Sequence, residues 1–393
     1  MDIKTKADEI FPQVLEIRHH LHQHPELSEH EVETEKFICE FLDQNNIPYR
    51  NNVAGHGVIA QIGTGSKGFA IRADIDALPI QEKNDLPYAS VNKGVMHACG
   101  HDMHTSILMG SALVLKSVEK EITEKDGCVK LLFQPAEETI GGASPMIAEG
   151  ALENPKVEGI AALHMDPAYP AGKIVVKHGP MNAGTATFTI TVKGISAHGA
   201  HPENGVDAIV VASNVVTALQ TISSRFNSPT TPVIVSIGRF DAGTAPNVVA
   251  DTAVLRGTSR GLNFETLEGI KLKIAQISTG ICESYGAKCE IEWGDDCYPP
   301  LVNDDDINKL IEESAEELLG KESIVYMPEP SLGADDFAFF TQKIKGAYFD
   351  LGSMRPNEEF HPLHNELFNP DEDAMKNGIM VESMTALKFF SIK

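Results

Sequence analysis

The sequence lacks three features that would each indicate a different class of protein. No stretch of its 393 residues is long and apolar enough to span a bilayer, and the first nine residues lack the apolar segment of a secretory signal. The six cysteines are scattered without the close spacing of a disulfide scaffold, which favours reduced thiols. We therefore expect a cytoplasmic protein without a membrane partner.

Basic residues are also scarce. The chain has 32 Lys and Arg against 56 Asp and Glu, a net charge of -24, and no basic patch stands out. Such a charge repels phosphate backbones, which argues against nucleic-acid binding. Hydrophobic residues (42%) and charged residues (22%) are in the ordinary globular range, and the length favours two domains over a single core.

Short apolar runs alternate with helical patterns in the first part of the chain. Strands are predicted over 57–62, 69–73, 129–133 and 159–163, and a helix over 103–118. This alternation predicts an α/β fold with a mainly parallel central sheet.

A helix start is predicted near residue 32. Ser28 is followed three residues later by Glu31, just before an apolar-periodic stretch. This spacing predicts a capping box, in which both side chains bind backbone N–H groups of the helix that follows.

The pattern changes near Gly184. Strands are predicted over 185–192, 233–238, 252–258 and 288–293, with helices over 206–225 and 264–285, in the order β-α-β-β-α-β. This order predicts a ferredoxin-like insert, after which the α/β pattern returns with a helix predicted over 335–343. The predicted domains are residues 1–183 with 297–393, and an inserted domain of residues 184–296.

Metal-binding and acidic side chains follow the predicted strands of the first domain. In an α/β sheet, functional residues collect beyond the carboxyl ends of the strands. The residues that follow predicted strands are Asp74, Glu137, Glu138 and His164. Cys99 and His101 lie in the segment that precedes the helix at 103. Four such clusters at comparable positions predict a metal site.

The residue types indicate the chemistry. A thiolate and neutral imidazoles suit zinc, and a carboxylate at the same site also admits manganese or cobalt. Gly100 lies between Cys99 and His101 and allows a tight turn that brings both side chains together. Of the adjacent Glu137 and Glu138, one can bind metal while the other transfers a proton to and from a metal-activated water.

Seven segments together resemble the zinc metallopeptidase family of carboxypeptidase G and aminoacylase, and within it the amidohydrolases of hippurate, indole-acetyl-amino acids and N-acetyldiaminopimelate. The segments, which span nearly the whole chain, are LHQHPELS (21–28), RADIDALP (72–79), MHACGHDMHT (96–105), QPAEE (134–138), ALH (162–164), GTSR (257–260) and LHN (363–365). The resemblance implies a zinc-exopeptidase fold of the phosphorylase/hydrolase-like type, with the insert as a lid and dimerisation domain.

The resemblance also implies two divalent metal ions per chain, zinc first and manganese or cobalt as alternatives. Cys99 would bridge both ions, with His101 and His164 on one and Glu138 and His364 on the other. His361 lies three residues before His364 and competes with it as a ligand. A histidine-rich stretch at residues 19–24 has no convergent carboxylate or thiolate in sequence, and we interpret it as structural.

Further roles follow from the same resemblance. Glu137 would be the general base, and Asp74 would orient an imidazole ligand. In the insert, His198 would reach the partner subunit's active site and stabilise the oxyanion, while Asn247 and Arg260 would bind the substrate carboxylate.

We therefore expect a metal-dependent amidohydrolase that cleaves N-acyl amino acids or small peptides and forms a homodimer or a higher homo-oligomer. A carboxypeptidase or dipeptidase acting on short peptides is the alternative enzyme. A catalytically silent metal-binding protein of the same fold is a third possibility, although it would have no need of Glu137 as a base.

Overall fold

The structure is a computed structural model that describes residues 2–294, 297–356 and 359–392. The chain divides into two compact units, each described separately below. The first unit comprises Met1–Gly179, Val302–Glu329 and Phe339–Lys393, and the second comprises Pro180–Leu301 and Pro330–Ala338. Among the described residues, no helix has the length and apolar character needed to cross a membrane.

The described residues form eleven α-helices and sixteen strands. The helices are α1 (Ile3–Gln23), α2 (Val32–Gln44), α3 (His101–Ser117), α4 (Glu119–Glu124), α5 (Ala143–Ala148), α6 (Ala208–Leu219), α7 (Thr221–Arg225), α8 (Phe264–Ser284), α9 (Asp305–Leu319), α10 (Ala338–Thr341) and α11 (Ala374–Phe389). The strands are β1 (Tyr49–Val53), β2 (Gly57–Ile62), β3 (Lys67–Asp74), β4 (Gly127–Gln134), β5 (Val157–Pro170), β6 (Ile174–Val176), β7 (Gly179–Asn182), β8 (Gly184–Lys193), β9 (Ala197–His198), β10 (Val233–Ala242), β11 (Val248–Val249), β12 (Thr252–Gly261), β13 (Lys288–Trp293), β14 (Leu301–Asn303), β15 (Ile324–Tyr326) and β16 (Lys345–Met354).

The first unit is built on an eight-stranded sheet in the order β1-β2-β4-β3-β5-β16-β6-β15. Its central strands β4, β3, β5 and β16 are parallel. Strand β2 runs antiparallel to both of its neighbours, and β6 runs antiparallel to β16. The α/β prediction is confirmed, but the sheet is mixed and only its centre is parallel, because strand periodicity does not encode strand direction.

Helices α1, α3 and α11 pack on one another, and α3 and α11 also pack on this sheet. They share one core of buried apolar side chains, which includes Val14, Ile107 and Ile379. Helix α3 is buried on almost every side. Since α3 begins at His101, this packing holds the start of the helix rigidly beside the carboxyl ends of the central strands.

The second unit contains a four-stranded antiparallel sheet in the order β10-β12-β8-β13. Helices α6 and α8 pack on it and form a separate apolar core with residues such as Ile190, Val215 and Ile274. Strands β9 and β11 form a short antiparallel ladder in the same unit.

Most predicted elements are present, some with bounds shifted by a few residues, and the helix predicted over 206–225 is divided into α6 and α7. His164 lies within β5, which continues to Pro170, and does not end the strand. A helix expected over 335–343 is reduced to the single turn of α10. Helix α2 begins at Val32, three residues later than a capping box at Ser28 and Glu31 requires, and its N-cap residue Glu31 makes no capping bond, so the predicted capping box does not form.

Candidate metal centre

The tight turn at Gly100 brings Cys99 and His101 to the start of α3. Gly100 has a φ of +88°, in the left-handed region that favours glycine. A Cβ at this position would lie 2.9 Å from Met165 Cγ and 3.1 Å from Met165 Cβ. Cys99 and His101 are both buried. Glycine is therefore required at position 100, both by the backbone conformation of the turn and by the close approach of Met165.

Cys99 is shared by two groups of potential metal ligands in the first unit. One group joins it to His101 and His164, and the other to Glu138 and His364; the ligand atoms within each group lie within 4.8 Å of one another. Cys99 Sγ is 3.4 Å from His164 Nε2 and 3.3 Å from His364 Nε2. Glu138 Oε1 is 3.2 Å from His364 Nε2. The structure thus brings together all five residues that the sequence predicts as ligands.

Hydrogen bonds on the far nitrogens aim two of the imidazoles inward. His101 Nδ1 donates to the backbone oxygen of Asp76 at 2.9 Å, and His164 Nδ1 donates to the backbone oxygen of Met165 at 2.8 Å. In the neutral rings, this leaves the Nε2 lone pairs facing the site. Both Nε2 atoms are therefore oriented as metal ligands require.

The carboxylate beside His101 Nδ1 is Asp76, with Oδ1 at 3.3 Å, and not Asp74. Asp74 instead accepts a hydrogen bond from His104 Nδ1 at 2.6 Å and one from Arg72 Nη1 at 2.6 Å. His104 Nε2 in turn accepts the N–H of Met165 at 2.9 Å. At His101, the carboxylate that faces the far ring nitrogen is thus Asp76, two residues further along the same motif, and the orienting role predicted for Asp74 stays a prediction.

The side chains alone set pKa values that a cation would change. Burial raises the pKa of the Cys99 thiol well above its usual range, and the carboxylates of Glu138 and Glu137 raise it further. Burial lowers the pKa of His101, but Asp74, Asp76 and Glu138 outweigh it and raise that pKa to about 10. A thiolate and a neutral imidazole here need a positive charge nearby, which a divalent cation supplies.

Glu137 and Glu138 follow a left-handed residue. Ala136 has a φ of +55°, and its oxygen accepts the N–H of Gly141 at 2.9 Å. The N–H of Glu138 donates to Asp76 Oδ2 at 3.0 Å. Glu137 and Glu138 form a further group of potential ligand atoms with His101, within 4.8 Å of one another. The turn therefore places two carboxylates beside the same imidazole.

His364 and the competing His361 differ in their surroundings. His364 has a φ of +61°, and its N–H donates to the backbone oxygen of Ala98, next to Cys99, at 2.8 Å. Within the described ranges, His361 is in none of the potential ligand groups. The geometry favours His364 as the ligand.

The sequence profile of the peptidase family M20/M25/M40 matches residues 70–388. The chain belongs to this family. It is 38% identical over 384 residues to the N-acetyl-L-cysteine deacetylase of Bacillus subtilis (strain 168), covering 95% of this chain and 89% of the relative. It is 36% identical over 393 residues to thermostable carboxypeptidase 1 of Saccharolobus solfataricus, covering 98% of each chain.

A solved structure from the same family has a similar fold. The YXEP protein of Bacillus subtilis, described as a dinuclear metal binding peptidase from the M20 family, has a TM-score of 0.84 and 34% identity, covering 98% of this chain and 100% of that chain. This M20 protein is thus a metal-dependent hydrolase of amide bonds, as the sequence predicted.

The residues of this M20 protein fit a metal centre. The donor set of one thiolate, three imidazoles and a carboxylate is one that zinc accepts. His101 Nε2 is buried and has no hydrogen-bond partner within the described part of the chain. Buried polar atoms without partners are rare, and a bound cation would satisfy this one.

Three predicted site residues of the M20 protein lie in the second unit. His198 and Asn247 are neighbours across the β9–β11 ladder, where the N–H of Gly199 donates to the Asn247 oxygen at 2.8 Å. Arg260 lies on β12, and its Nη1 donates to the Leu332 oxygen at 2.6 Å. The predicted roles of these three residues stay predictions.

Sequence reasoning missed some supporting residues and interpreted others correctly. The missed residues are Asp76 and His104, which both lie in the motifs quoted above. Their position as polar residues near a strand end or a helix start is the signal that could have identified them. His22 is buried between Asp102 Oδ2 at 2.8 Å and Glu82 Oε1 at 3.0 Å, which is consistent with its structural interpretation.

Proposed function

We propose that the protein hydrolyses the amide bond of N-acyl amino acids. The observation that carries this proposal is the pair of ligand groups that share Cys99 and lie beside a further carboxylate, Glu137. The similarity to the N-acetyl-L-cysteine deacetylase of Bacillus subtilis supports an acyl group on the substrate.

We assign Cys99 as the ligand common to two divalent ions, with His101 and His164 completing one set and Glu138 and His364 the other. Zinc is the first choice, and manganese or cobalt are alternatives. When bound, such ions polarise a carbonyl and lower the pKa of water.

Glu137 is assigned as the general base. It is 8% exposed, so its carboxylate is shielded from bulk water. It accepts a proton from the attacking water and returns that proton to the nitrogen of the leaving amine. The adjacent residue, Glu138, is assigned to metal binding. Asp74 supports the site through His104.

The second unit is assigned as an inserted ferredoxin-like lid and dimerisation domain, predicted over residues 184–296. The element order β8-α6-β10-β12-α8-β13 supports this assignment. Asn247 and Arg260 bind the substrate carboxylate, and His198 stabilises the oxyanion in the site of the partner subunit. A homodimer or higher homo-oligomer and a cytoplasmic location stay predictions from the sequence.

The dimer proposal has a direct test. His198→Ala and Glu137→Ala should each be inactive alone but recover partial activity when mixed, because a heterodimer would contain one site with both residues intact. Absence of recovery after demonstrated subunit exchange would count against a role across the subunit boundary.

The experiment that tests the function measures metal content and hydrolysis of N-acetyl, N-benzoyl and dipeptide substrates. Wild type and Glu137→Gln are compared. We expect about two metal ions per chain in both proteins, and loss of turnover by about a hundredfold or more in Glu137→Gln. A wild type without bound metal would overturn the ligand set, and an active Glu137→Gln would overturn the base.

A carboxypeptidase is the second candidate, supported by the 36% identity to thermostable carboxypeptidase 1. Cleavage of N-acetyl amino acids but not of unblocked dipeptides would favour the deacylase, and the reverse would favour the peptidase. A catalytically silent metal-binding protein would bind metal and cleave nothing across the panel.

A further inference from the structure

Glu31 occupies the N-cap of α2 without capping it. Its side chain makes no hydrogen bond to this helix. The residue is 0% exposed, and its Oε1 accepts the N–H of Ala136, which is 105 residues away, at 2.8 Å. The buried carboxyl group of Glu31 therefore binds a distant part of the chain and not the helix that it precedes.

The N–H that Glu31 binds belongs to a strained turn. Ala136 has a φ of +55°, a conformation that non-glycine residues adopt only when their surroundings hold them there. Glu137 and Glu138 follow directly. The orientation of this one peptide therefore determines where both carboxylates point.

Ser28 supports the same turn from the other side. Its hydroxyl donates to Asp76 Oδ2 at 2.6 Å, and this same oxygen accepts the N–H of Glu138 at 3.0 Å. The segment between α1 and α2 runs alongside residue 77, where the N–H of Ala77 donates to the Glu26 oxygen at 2.8 Å. The N–H groups of residues 136 and 138 are thus both bound by carboxylates.

We propose that Glu31 is a positioning residue for the reaction, holding the Ala136 turn so that Glu137 faces the substrate and Glu138 faces the metal. This inference rests on the proposed roles of Glu137 and Glu138. Burial raises the pKa of Glu31 to about 7, so this placement is costly, and helix capping does not explain it.

Glu35 offers a matched control on the same helix. It is 7% exposed, and its Oε1 accepts the N–H of Asn52 at 2.7 Å. Asn52 is also left-handed, with a φ of +53°. Glu35→Ala therefore removes the same kind of contact, from a carboxylate to the N–H of a left-handed residue, at a place that belongs to neither ligand group. It also removes a contact between Glu35 Oε2 and His56 Nδ1 at 3.0 Å.

The test compares Glu31→Ala, Glu31→Gln and Glu35→Ala with wild type. Both alanine variants should lower the unfolding temperature. At saturating metal, Glu31→Ala should lower kcat by about tenfold to a hundredfold with KM little changed, since small displacements of catalytic groups cost this much. Glu31→Gln keeps an acceptor oxygen and should retain most of kcat, and Glu35→Ala should leave kcat unchanged.

A second measurement needs no turnover. Zn²⁺ titration of the metal-free proteins should show weaker binding in Glu31→Ala, by about tenfold, because Glu138 is less well oriented. Glu35→Ala should bind Zn²⁺ as wild type does. Unchanged kcat and unchanged Zn²⁺ affinity in a folded Glu31→Ala would overturn the proposal, as would equal losses in the two alanine variants.

A glycine variant covers the case in which Glu31→Ala does not fold. Glycine adopts a φ of +55° without strain, so Ala136→Gly should restore folding and part of the activity to Glu31→Ala. Failure to restore either would overturn the positioning role. Inactive wild type, or active Glu137→Gln, would instead refute the proposed function and leave the Zn²⁺ titration to decide the role of Glu31.

Discussion

Gly100→Ala should remove metal binding by disturbing the turn between two ligands. Gly100 is left-handed, and an alanine there costs about 1–2 kcal/mol. The new Cβ would also lie 2.9 Å from Met165 Cγ and 3.1 Å from Met165 Cβ. Met165 is fully buried, and such overpacking of a buried side chain costs about 1–3 kcal/mol.

The clash matters for function because Met165 holds two imidazoles. Its N–H donates to His104 Nε2 at 2.9 Å, and its oxygen accepts His164 Nδ1 at 2.8 Å. A shift of Met165 would therefore move His164. The disturbed turn would in addition separate Cys99 from His101. We expect a total loss of about 2–5 kcal/mol in the free energy of unfolding, with a loss of metal affinity in addition.

Gly94→Ala is the matched control. Gly94 is also left-handed, with a φ of +79°, but a Cβ there would meet nothing within 4 Å. It should therefore cost about 1–2 kcal/mol from the backbone alone and leave the ligands in place.

The assay is thermal unfolding with bound metal and after treatment with a chelator. A ligand that binds only the folded state at a hundred times its Kd stabilises that state by about 2.7 kcal/mol. Wild type and Gly94→Ala should show a clear metal-dependent rise in unfolding temperature, and Gly100→Ala should show little or none. If Gly100→Ala kept the full rise and normal metal content, the reasoning about this turn would be refuted.

Two further predictions concern a supporting carboxylate and a buried one. Asp76→Asn should weaken metal affinity by about tenfold to a hundredfold, because Asp76 orients His101 and binds the N–H of Glu138. Competition with a chelating dye measures this affinity, and an unchanged value would contradict the prediction. Glu382 is 1% exposed and accepts a hydrogen bond from Ser111 at 2.9 Å, and burial raises its pKa from 4.5 to about 8. The folded protein therefore retains a proton that the unfolded chain releases, so this contribution to stability is full below about pH 4.5 and is lost as the pH rises through about 8. Urea unfolding between about pH 5 and about pH 8 should show a falling free energy in wild type and a flatter dependence in Glu382→Gln; parallel slopes would contradict the assignment.

Much of the fold and the site could be predicted because the signals are local. Strand β2 has the predicted bounds 57–62, and helix α8 differs from its prediction by one residue at its end, since hydrophobic periodicity depends only on nearby positions. Four of the five predicted metal ligands come together because they follow or lie within a strand, or stand at a helix start, at one end of the sheet, whereas His364 lies in a loop and was predicted from the family resemblance alone. Side-chain type and position along the chain were sufficient for that inference.

Other features depend on contacts between distant parts of the chain. The sheet is mixed because β2 runs antiparallel to both of its neighbours and β6 runs antiparallel to β16, and no residue pattern states the direction of a strand. Asp76, rather than Asp74, stands beside the Nδ1 atom of His101, which no local pattern states. Ser28 and Glu31 have the spacing of a capping box, yet their hydrogen bonds go to Asp76 and to the peptide of Ala136. A local pattern shows what a side chain can bind, but only the tertiary structure decides which of its possible partners lies within reach.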